Sequence, residues 1–155
     1  MTRSSKSESK RLELSNFLCF AVYSANLAFG RAYKPILEPL GLTYTQYIAM
    51  VALCEKDDLT VGELGEKLFL ESNTLTPILK KLESTGYIQR RRDPADERQV
   101  RVSLTPAGRS LLDQDLGSSL GDAIGLGEDF PQVQKMVVKL RDNLLRATQA
   151  QSGKT

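Results

Sequence analysis

The chain has 155 residues, of which 41% are hydrophobic and 26% charged, and its net charge is +2 at pH 7. This length suits one domain with accessory helices, and no stretch approaches the roughly 20 apolar residues that span a membrane. We therefore expect a cytoplasmic protein without a membrane segment. There is no histidine, and the two cysteines, Cys19 and Cys54, do not have zinc-binding spacing. A metal site, a cofactor and an ordinary hydrolase are therefore not expected.

The first third of the chain predicts a tail and then a long helix. Residues 1–11 are polar and are expected to form a disordered tail. A helix is predicted from about Leu12 to Tyr33, with a short helical turn over Ile36 to Leu40. Gly41 is expected to end this segment.

Two capping boxes mark the next helices. "TYTQ" (Thr43 to Gln46) and "TVGE" (Thr60 to Glu63) both have the S/T-x-x-E/Q form that satisfies backbone N–H groups at a helix start. They predict helices over about Tyr44 to Cys54 and Val61 to Phe69. A third helix is expected from about Ser72 to Gly86.

After the third helix the apolar period changes to two. "YIQRRR" and "RQVRVSL" alternate apolar and polar residues on either side of the turn sequence "DPADE", which predicts a two-stranded hairpin. Thr105 followed by Pro106 then predicts a further helix start. Near the C-terminus, an apolar stripe at helical spacing predicts a last helix; its members are Val133, Met136, Val137, Leu140 and Leu144.

A helix pair followed by a basic hairpin is the order of a winged helix-turn-helix. The second helix of the pair begins with short hydrogen-bonding side chains of the kind that reach base edges, namely Ser72, Asn73, Thr74 and Thr76. Residues 80–92 contain five basic residues and one acidic residue. This local charge favours phosphate binding, because each neutralised phosphate releases counterions.

Each basic feature also has a structural interpretation. Lys80 and Lys81 could form an ordinary solvated helix face, and the "RRR" run could protect a strand edge against aggregation. Only the combination, in this order and with small polar residues at the helix start, favours DNA binding.

The segment "LTVGELGEKLFLESNTLTPILKKLESTGYIQRRRDPADERQVRVSLTPAGR" resembles the winged-helix core of MarR-family transcriptional regulators, most specifically in "DERQVRVSLTPAG". The N-terminal run "LCFAVYSANLAFGRAYKPILEPLGLTYTQY" resembles the organic hydroperoxide-sensing branch of that family. The resemblance implies a mainly α fold with a small β-hairpin. Within this fold, residues 43–105 would form a winged helix-turn-helix DNA-binding domain. It also implies a helical dimerisation region formed by residues 12–42 and 106–150.

The resemblance also implies roles in binding a palindromic double-stranded operator. Ser72, Thr74 and Thr76 would lie in the major groove, with Lys80 near the phosphate backbone. The wing would place Arg98 in the minor groove, steadied by Asp96, and Arg90 would lie close to DNA. The family often has Asp-Ser-Gly-Thr where this chain has Glu-Ser-Asn-Thr, so Asn73 adds an amide that can pair with adenine.

Cys19 lies in an apolar helical run, where a free cysteine is usually a small hydrophobic residue. We expect that role for Cys54. Tyr23 lies one turn after Cys19 and shares its face. Tyr33 is 14 residues away, about 21 Å along a straight helix, so only a second chain could bring it to the thiol, and the same holds for Tyr44. The resemblance implies that these two tyrosines of a partner subunit hydrogen-bond the sensing cysteine in a homodimer.

The implied chemistry is oxidation of the Cys19 thiolate by an organic hydroperoxide to a sulfenic acid, followed by release from the operator. Phe17, Phe20 and Phe29 make an apolar surround that favours organic over hydrogen peroxide. No cysteine follows Cys54, so the chain resembles family members with one reactive cysteine, whose sulfenic acid is capped by a low-molecular-weight thiol or over-oxidised.

Two alternatives belong to different classes. One is a MarR-type repressor released by a phenolic or lipophilic ligand, with Cys19 incidental. The other is a thiol peroxidase, which leaves the basic hairpin unexplained; we therefore expect a regulator and not an enzyme.

Overall fold

A computed structural model describes residues 12–152 of the chain. The predicted tail over residues 1–11 lies outside the described residues. The chain divides after Gly117, so that residues 12–117 form one compact unit and residues 118–152 a second.

The first unit begins with a long helix flanked by two short 3-10 turns. Its elements are the 3-10 turn Leu14–Asn16, helix α1, Leu18–Leu37, and the 3-10 turn Glu38–Leu40. The helix continues past Tyr33, where we had expected it to end, and Pro35 lies inside it. Gly41 ends the segment with φ 70°, in the left-handed region, as predicted.

Three helices follow, and the predicted capping boxes begin two of them. They are α2, Tyr44–Glu55, α3, Val61–Leu68, and α4, Ser72–Ser84. At the start of α2, the Gln46 side chain accepts the Thr43 backbone N–H at 2.9 Å, and the Thr43 hydroxyl accepts the Gln46 N–H. At the start of α3, Glu63 and Thr60 make the same pair of bonds at 2.8 and 3.1 Å. Each cap contributes about 1 kcal/mol to helix stability.

The sheet has three antiparallel strands in the order β1-β3-β2. They are β1, Leu59–Thr60, β2, Ile88–Arg92, and β3, Val100–Leu104. The predicted hairpin is β2 and β3, with Arg90 opposite Val102. The sequence did not predict β1, which pairs Leu59 with Val102 on the other edge of β3.

The core of the first unit lies between the sheet and α2, α3 and α4. Its fully buried side chains include Met50, Leu53, Leu64, Leu75, Leu79, Leu82, Ile88 and Val102. Burying one such side chain contributes about 1.5–3 kcal/mol. This packing fixes α4 against the sheet, and therefore fixes it relative to the wing.

One more helix completes the first unit. Helix α5, Pro106–Leu112, begins at Thr105, whose hydroxyl accepts the Gly108 N–H at 3.1 Å. This confirms the predicted start at Thr105 and Pro106.

The second unit is helical. It contains α6, Ser118–Ile124, a 3-10 turn, Gly127–Asp129, and α7, Phe130–Ser152. All five members of the predicted apolar stripe lie on α7. The structure describes every residue of α7, and none of them is buried. Within residues 12–152, no helix is long and apolar enough to cross a membrane.

Candidate DNA-binding surface and thiol site

Helices α3 and α4 meet at a tight turn that sets the position of α4. Phe69 ends α3 with φ 57°, and the Leu70 N–H donates to the Gly65 carbonyl oxygen at 2.9 Å. A Cβ atom at residue 65 would lie 2.7 Å from the Leu70 carbonyl oxygen, so only glycine allows this approach. Gly65 was not among the residues predicted from the sequence, although a glycine inside a helical pattern is a signal of close backbone approach.

The start of α4 presents polar side chains above a buried apolar face. Ser72, Asn73 and Thr74 are exposed, whereas Leu75 is buried. Thr76 is half-buried, and its hydroxyl donates to the Ser72 carbonyl oxygen at 2.7 Å. Because the first backbone N–H groups of a helix are unpaired and carry partial positive charge, this end of α4 favours a phosphate.

A cleft of about 760 Å³ lies between α3, α4 and the β2–β3 wing. It brings together four of the eight residues predicted to bind DNA, namely Ser72, Thr76, Arg90 and Arg98. The other four, Asn73, Thr74, Lys80 and Asp96, are exposed and lie outside its lining.

Arg90 is engaged by an acidic residue of α4. Its Nε and Nη2 atoms donate to Glu83 Oε2 at 3.0 and 2.6 Å, and its backbone N–H donates to Glu83 Oε1 at 3.2 Å. The hydrogen bond from the Arg90 side chain is the largest of the effects that lower the pKa of Glu83. Arg90 therefore joins β2 to α4, and its charge is largely balanced by Glu83.

Asp96 orders the wing tip through the backbone of Arg98. The Asp96 carboxylate accepts the Arg98 backbone N–H at 3.1 Å, and its carbonyl oxygen accepts the Gln99 N–H at 2.9 Å. Asp96 thus fixes the turn that carries Arg98, while the Arg98 side chain is exposed.

An ion-pair network at the base of the wing is absent from the sequence predictions. Asp57 and Asp58, just after α2, contact arginines on β2, β3 and α5 that lie 33 to 52 residues further along the chain. Such separations have no periodic signature in the sequence. The network attaches the wing to the end of α2.

Three tyrosines cluster where α1 meets α2. The ring centroids of Tyr33 and Tyr44 are 4.8 Å apart, and those of Tyr33 and Tyr47 are 5.8 Å apart. Burial raises the pKa of Tyr33 and of Tyr44 above the ordinary value of 10.0. A phenol keeps its proton at neutral pH even at its ordinary pKa, so both phenols can donate hydrogen bonds. Tyr33 and Tyr44 were predicted as site residues from the sequence, whereas Tyr47 was not.

Cys19 lies near the other end of α1. It is exposed, as is Tyr23, which packs against Phe20 with ring centroids 6.3 Å apart. Cys19 and Tyr33 belong to the same helix, 14 residues apart, so about 21 Å of helix separates them. The fold of one chain therefore brings the two tyrosines together but does not bring them to Cys19.

The prediction that Cys54 is a small core residue was wrong. Cys54 is exposed in the last turn of α2, because the buried face of that helix ends at Leu53.

Among residues 12–152, no group of three or more acidic, cysteine or histidine side chains is placed to hold a metal ion.

A family model described as transcriptional regulator SarA/Rot matches residues 31–114, which is more than half of the chain. The chain belongs to this MarR-like family of transcriptional regulators. Its members are DNA-binding regulators and not enzymes. The predicted winged helix-turn-helix fold and the predicted class of protein, a DNA-binding regulator, are therefore confirmed.

Two curated relatives support the family assignment. The chain is 40% identical over 136 residues to the organic hydroperoxide resistance transcriptional regulator of Bacillus subtilis (strain 168), which covers 86% of this chain and 92% of that protein. It is 53% identical over 98 residues to the HTH-type transcriptional regulator TtmR of Methylorubrum extorquens (strain PA1). That match covers 63% of this chain and only 50% of TtmR.

Solved structures show the same fold. The crystal structure of AbfR of Staphylococcus epidermidis matches with a TM-score of 0.74 and 30% identity, covering 88% of this chain and 94% of AbfR. AbfR has been solved bound to DNA in a reduced and in an overoxidized form, and also in a disulfide form. AbfR is therefore a DNA-binding relative that has been captured in several oxidation states.

Proposed function

We propose that this protein is a homodimeric transcriptional repressor that binds a palindromic operator and releases it when an organic hydroperoxide oxidises Cys19. One observation carries the proposal. An exposed cysteine lies near the start of α1, and two packed phenols lie far from it, Tyr33 near the other end of α1 and Tyr44 at the start of α2. The organic hydroperoxide resistance regulator of Bacillus subtilis, 40% identical, supports this choice of inducer.

The DNA-binding part of the proposal uses α4 and the wing. Ser72, Asn73, Thr74 and Thr76 would contact base edges and phosphates in the major groove, with Lys80 on the backbone. Arg98, exposed on a turn that Asp96 holds, would enter the minor groove. Arg90 would act mainly by holding β2 on α4, because Glu83 already engages its guanidinium.

A second copy of the chain would complete the thiol site. The apolar residues of α1 that one chain leaves exposed include Leu18, Phe20, Val22, Leu27 and Phe29, and Phe17 just before the helix is exposed too. Pairing these faces would remove them from water. It would also bring Cys19 and Tyr23 of one copy to Tyr33 and Tyr44 of the other, which are close enough together to reach one sulfur.

The reaction would begin with attack of the Cys19 thiolate on the distal peroxide oxygen. The O–O bond breaks, the sulfur becomes a sulfenic acid, and the leaving alkoxide takes a proton to become an alcohol. A low-molecular-weight thiol would then form a mixed disulfide with loss of water, or further peroxide would oxidise the sulfur irreversibly. Either product is bulkier than a thiolate and no longer fits the hydrogen bonds of the two phenols.

The proposed site of action is the cytoplasm, because a regulator of this kind must reach chromosomal DNA.

Two alternatives remain as outcomes of the test. In one, a phenolic or lipophilic ligand releases the repressor and Cys19 is incidental. In the other, the protein consumes peroxide catalytically.

The test is an electrophoretic shift with a palindromic operator, with and without cumene hydroperoxide, on Cys19→Ser and the matched variant Cys54→Ser. Both variants should bind the operator when reduced. Peroxide should release Cys54→Ser and leave Cys19→Ser bound, and mass spectrometry should locate the oxidation at residue 19. Normal release of Cys19→Ser would reject the redox switch, and sustained peroxide consumption with a thiol reductant would favour the peroxidase.

A further inference from the structure

The turn between α2 and β1 holds an aspartate in an unusual backbone conformation. Asp58 has φ 55°, and among residues 12–152 only Phe69 is another non-glycine residue with positive φ. Aspartate and asparagine tolerate this left-handed region better than other side chains. Residue 58 is therefore one of the few places where an Asp→Asn change preserves both shape and backbone preference.

The carboxylate of Asp58 binds the two strands of the wing. Both of its oxygens accept from Arg91 Nη2 of β2, each at 2.9 Å. Arg101 Nε of β3 lies 3.2 Å from Oδ2, and the Ser103 hydroxyl donates to Oδ1 at 3.3 Å. The Asp58 backbone carbonyl oxygen also accepts from Arg101 Nη2.

Arg101 extends these contacts to the wing loop. Its Nη1 atom donates to Asp93 Oδ2 at 3.0 Å. Asp93 is buried at the start of the wing loop. Its other carboxylate oxygen accepts the Ala95 N–H at 2.8 Å, and its own N–H donates to the Gln99 carbonyl oxygen at 2.9 Å, so Asp93 fixes this loop. The loop fixed in this way carries Arg98.

Three nitrogens of one guanidinium therefore contact three acceptors on two segments of the chain. A planar, rigid guanidinium can hold these directions together, whereas the single ammonium of lysine cannot. The contacts form a continuous path from the end of α2, through Asp58, Arg101 and Asp93, to the turn that presents Arg98.

We propose that Asp58 and Arg101 are positioning residues for operator binding, which fix the wing in the orientation that lets Arg98 enter the minor groove. This inference rests on the proposed role of Arg98. A wing that is already ordered loses little conformational freedom on binding DNA, whereas a loose wing must be ordered at the expense of affinity.

The charge of Asp58 separates this role from simple electrostatics. Removing a negative charge near DNA should tighten binding if only the field mattered. On the proposal, Asp58→Asn instead weakens operator binding about three- to tenfold. Arg101→Lys keeps the charge and should weaken binding to a similar extent. The matched charge control is Glu66→Gln on α3, which should bind the operator more tightly.

The decisive experiment is a double-mutant cycle on the full-length reduced protein, with operator dissociation constants measured for wild type, Asp58→Asn, Arg98→Ala and the double variant. We expect Asp58→Asn to weaken the wild type and to change the affinity of Arg98→Ala less than twofold. Urea unfolding of each variant accompanies the cycle.

The possible results separate the positioning role of Asp58 and Arg101 from the proposed function as a repressor. If Arg98→Ala weakens binding but Asp58→Asn does not, or weakens both backgrounds equally, the positioning role is overturned and the proposed function stands. If Arg98→Ala binds as tightly as wild type, then insertion of the wing is wrong, and the inference fails with it.

Discussion

At the scale of single residues, the proposed thiol site depends on the phenols of Tyr33 and Tyr44. Partial burial raises the pKa of each phenol, and for Tyr33 the electrostatic effect of the neighbouring phenols Tyr44 and Tyr47 acts in the same direction. A phenol that keeps its proton can donate a hydrogen bond to a thiolate, whereas a phenolate would repel it. The proposed thiol site therefore depends on neutral tyrosines, and at neutral pH a phenol of ordinary or raised pKa is neutral.

Alanine substitutions at two glycines of α3 should change the stability of the fold in opposite directions. Gly65→Ala should destabilise the protein by about 1–3 kcal/mol, because the new Cβ would meet the Leu70 carbonyl oxygen at 2.7 Å. Gly62→Ala should stabilise it by about 0.5–1 kcal/mol, because the nearest atom is 3.8 Å away and alanine favours a helix. Urea unfolding of both variants measures the two effects. Equal stability of the two variants would show that the tight turn is not needed.

At the scale of elements, side chains fix the short strands that backbone pairing alone would hold weakly. Strand β1 has two residues and β2 and β3 have five each, and small isolated sheets are marginal in water. The Glu83–Arg90 pair attaches β2 to α4, and Asp58 attaches β2 and β3 to the end of α2. The geometry of the DNA-binding cleft therefore depends on ion pairs as well as on the core.

These ion pairs predict how stability changes with pH. Backbone hydrogen bonds and Arg101 lower the pKa of Asp93; for Asp58, partial burial acts in the opposite direction, but Arg101 and Arg91 still lower its pKa below the ordinary 3.8. A carboxylate with a lowered folded pKa stabilises the fold fully above its ordinary pKa and loses that contribution as pH falls through the folded value.

We therefore expect the urea midpoint of the wild type to change little between pH 7 and about 5. At pH values under about 4, the midpoint should decrease. Asp58→Asn should be less stable at pH 7 and should lose less stability on acidification. The measurement is a series of urea unfolding curves from pH 7 to 3. Parallel curves for the two proteins would show that Asp58 does not contribute to the acid transition.

The sequence predicted the elements whose signals are local. Thr43, Thr60 and Thr105 marked helix starts, Gly41 marked a stop, and alternation marked β2 and β3. It could not predict β1, because two residues carry no period. Nor could it predict the contacts of Asp58 or the exposure of Cys54, because these depend on how distant segments pack.

At the scale of the whole molecule, two long helices expose apolar faces. Only Leu37 of α1 is buried, and no residue of α7, all of which the structure describes, is buried. Helices of this kind gain most of their stability by packing an amphipathic face against a partner. The proposed second copy supplies that partner for each face.

A charge placed on the α7 stripe should therefore weaken the dimer. Met136 is 61% exposed in the single chain, and Met136→Glu would bury two carboxylates per dimer at considerable cost. Gln134→Glu adds the same charge about 160° around the helix from Met136, off the stripe. Sedimentation velocity should show Met136→Glu dissociating at micromolar concentration with loss of operator binding, and Gln134→Glu remaining dimeric. If neither variant dissociated, the result would show that α7 is not part of the dimer interface.

The central claim is that phenols of one copy hold the cysteine of the other, and mixed dimers test it most directly. In the first mixed dimer, one protomer carries Cys19→Ser and its partner carries Tyr33→Phe with Tyr44→Phe. In the second, one protomer carries all three changes and its partner is wild type. The measurement is the rate at which cumene hydroperoxide converts the remaining Cys19 to a trapped sulfenic acid. The account predicts the wild-type rate in the first dimer and a much slower rate in the second, whereas the reverse order or equal rates would contradict it.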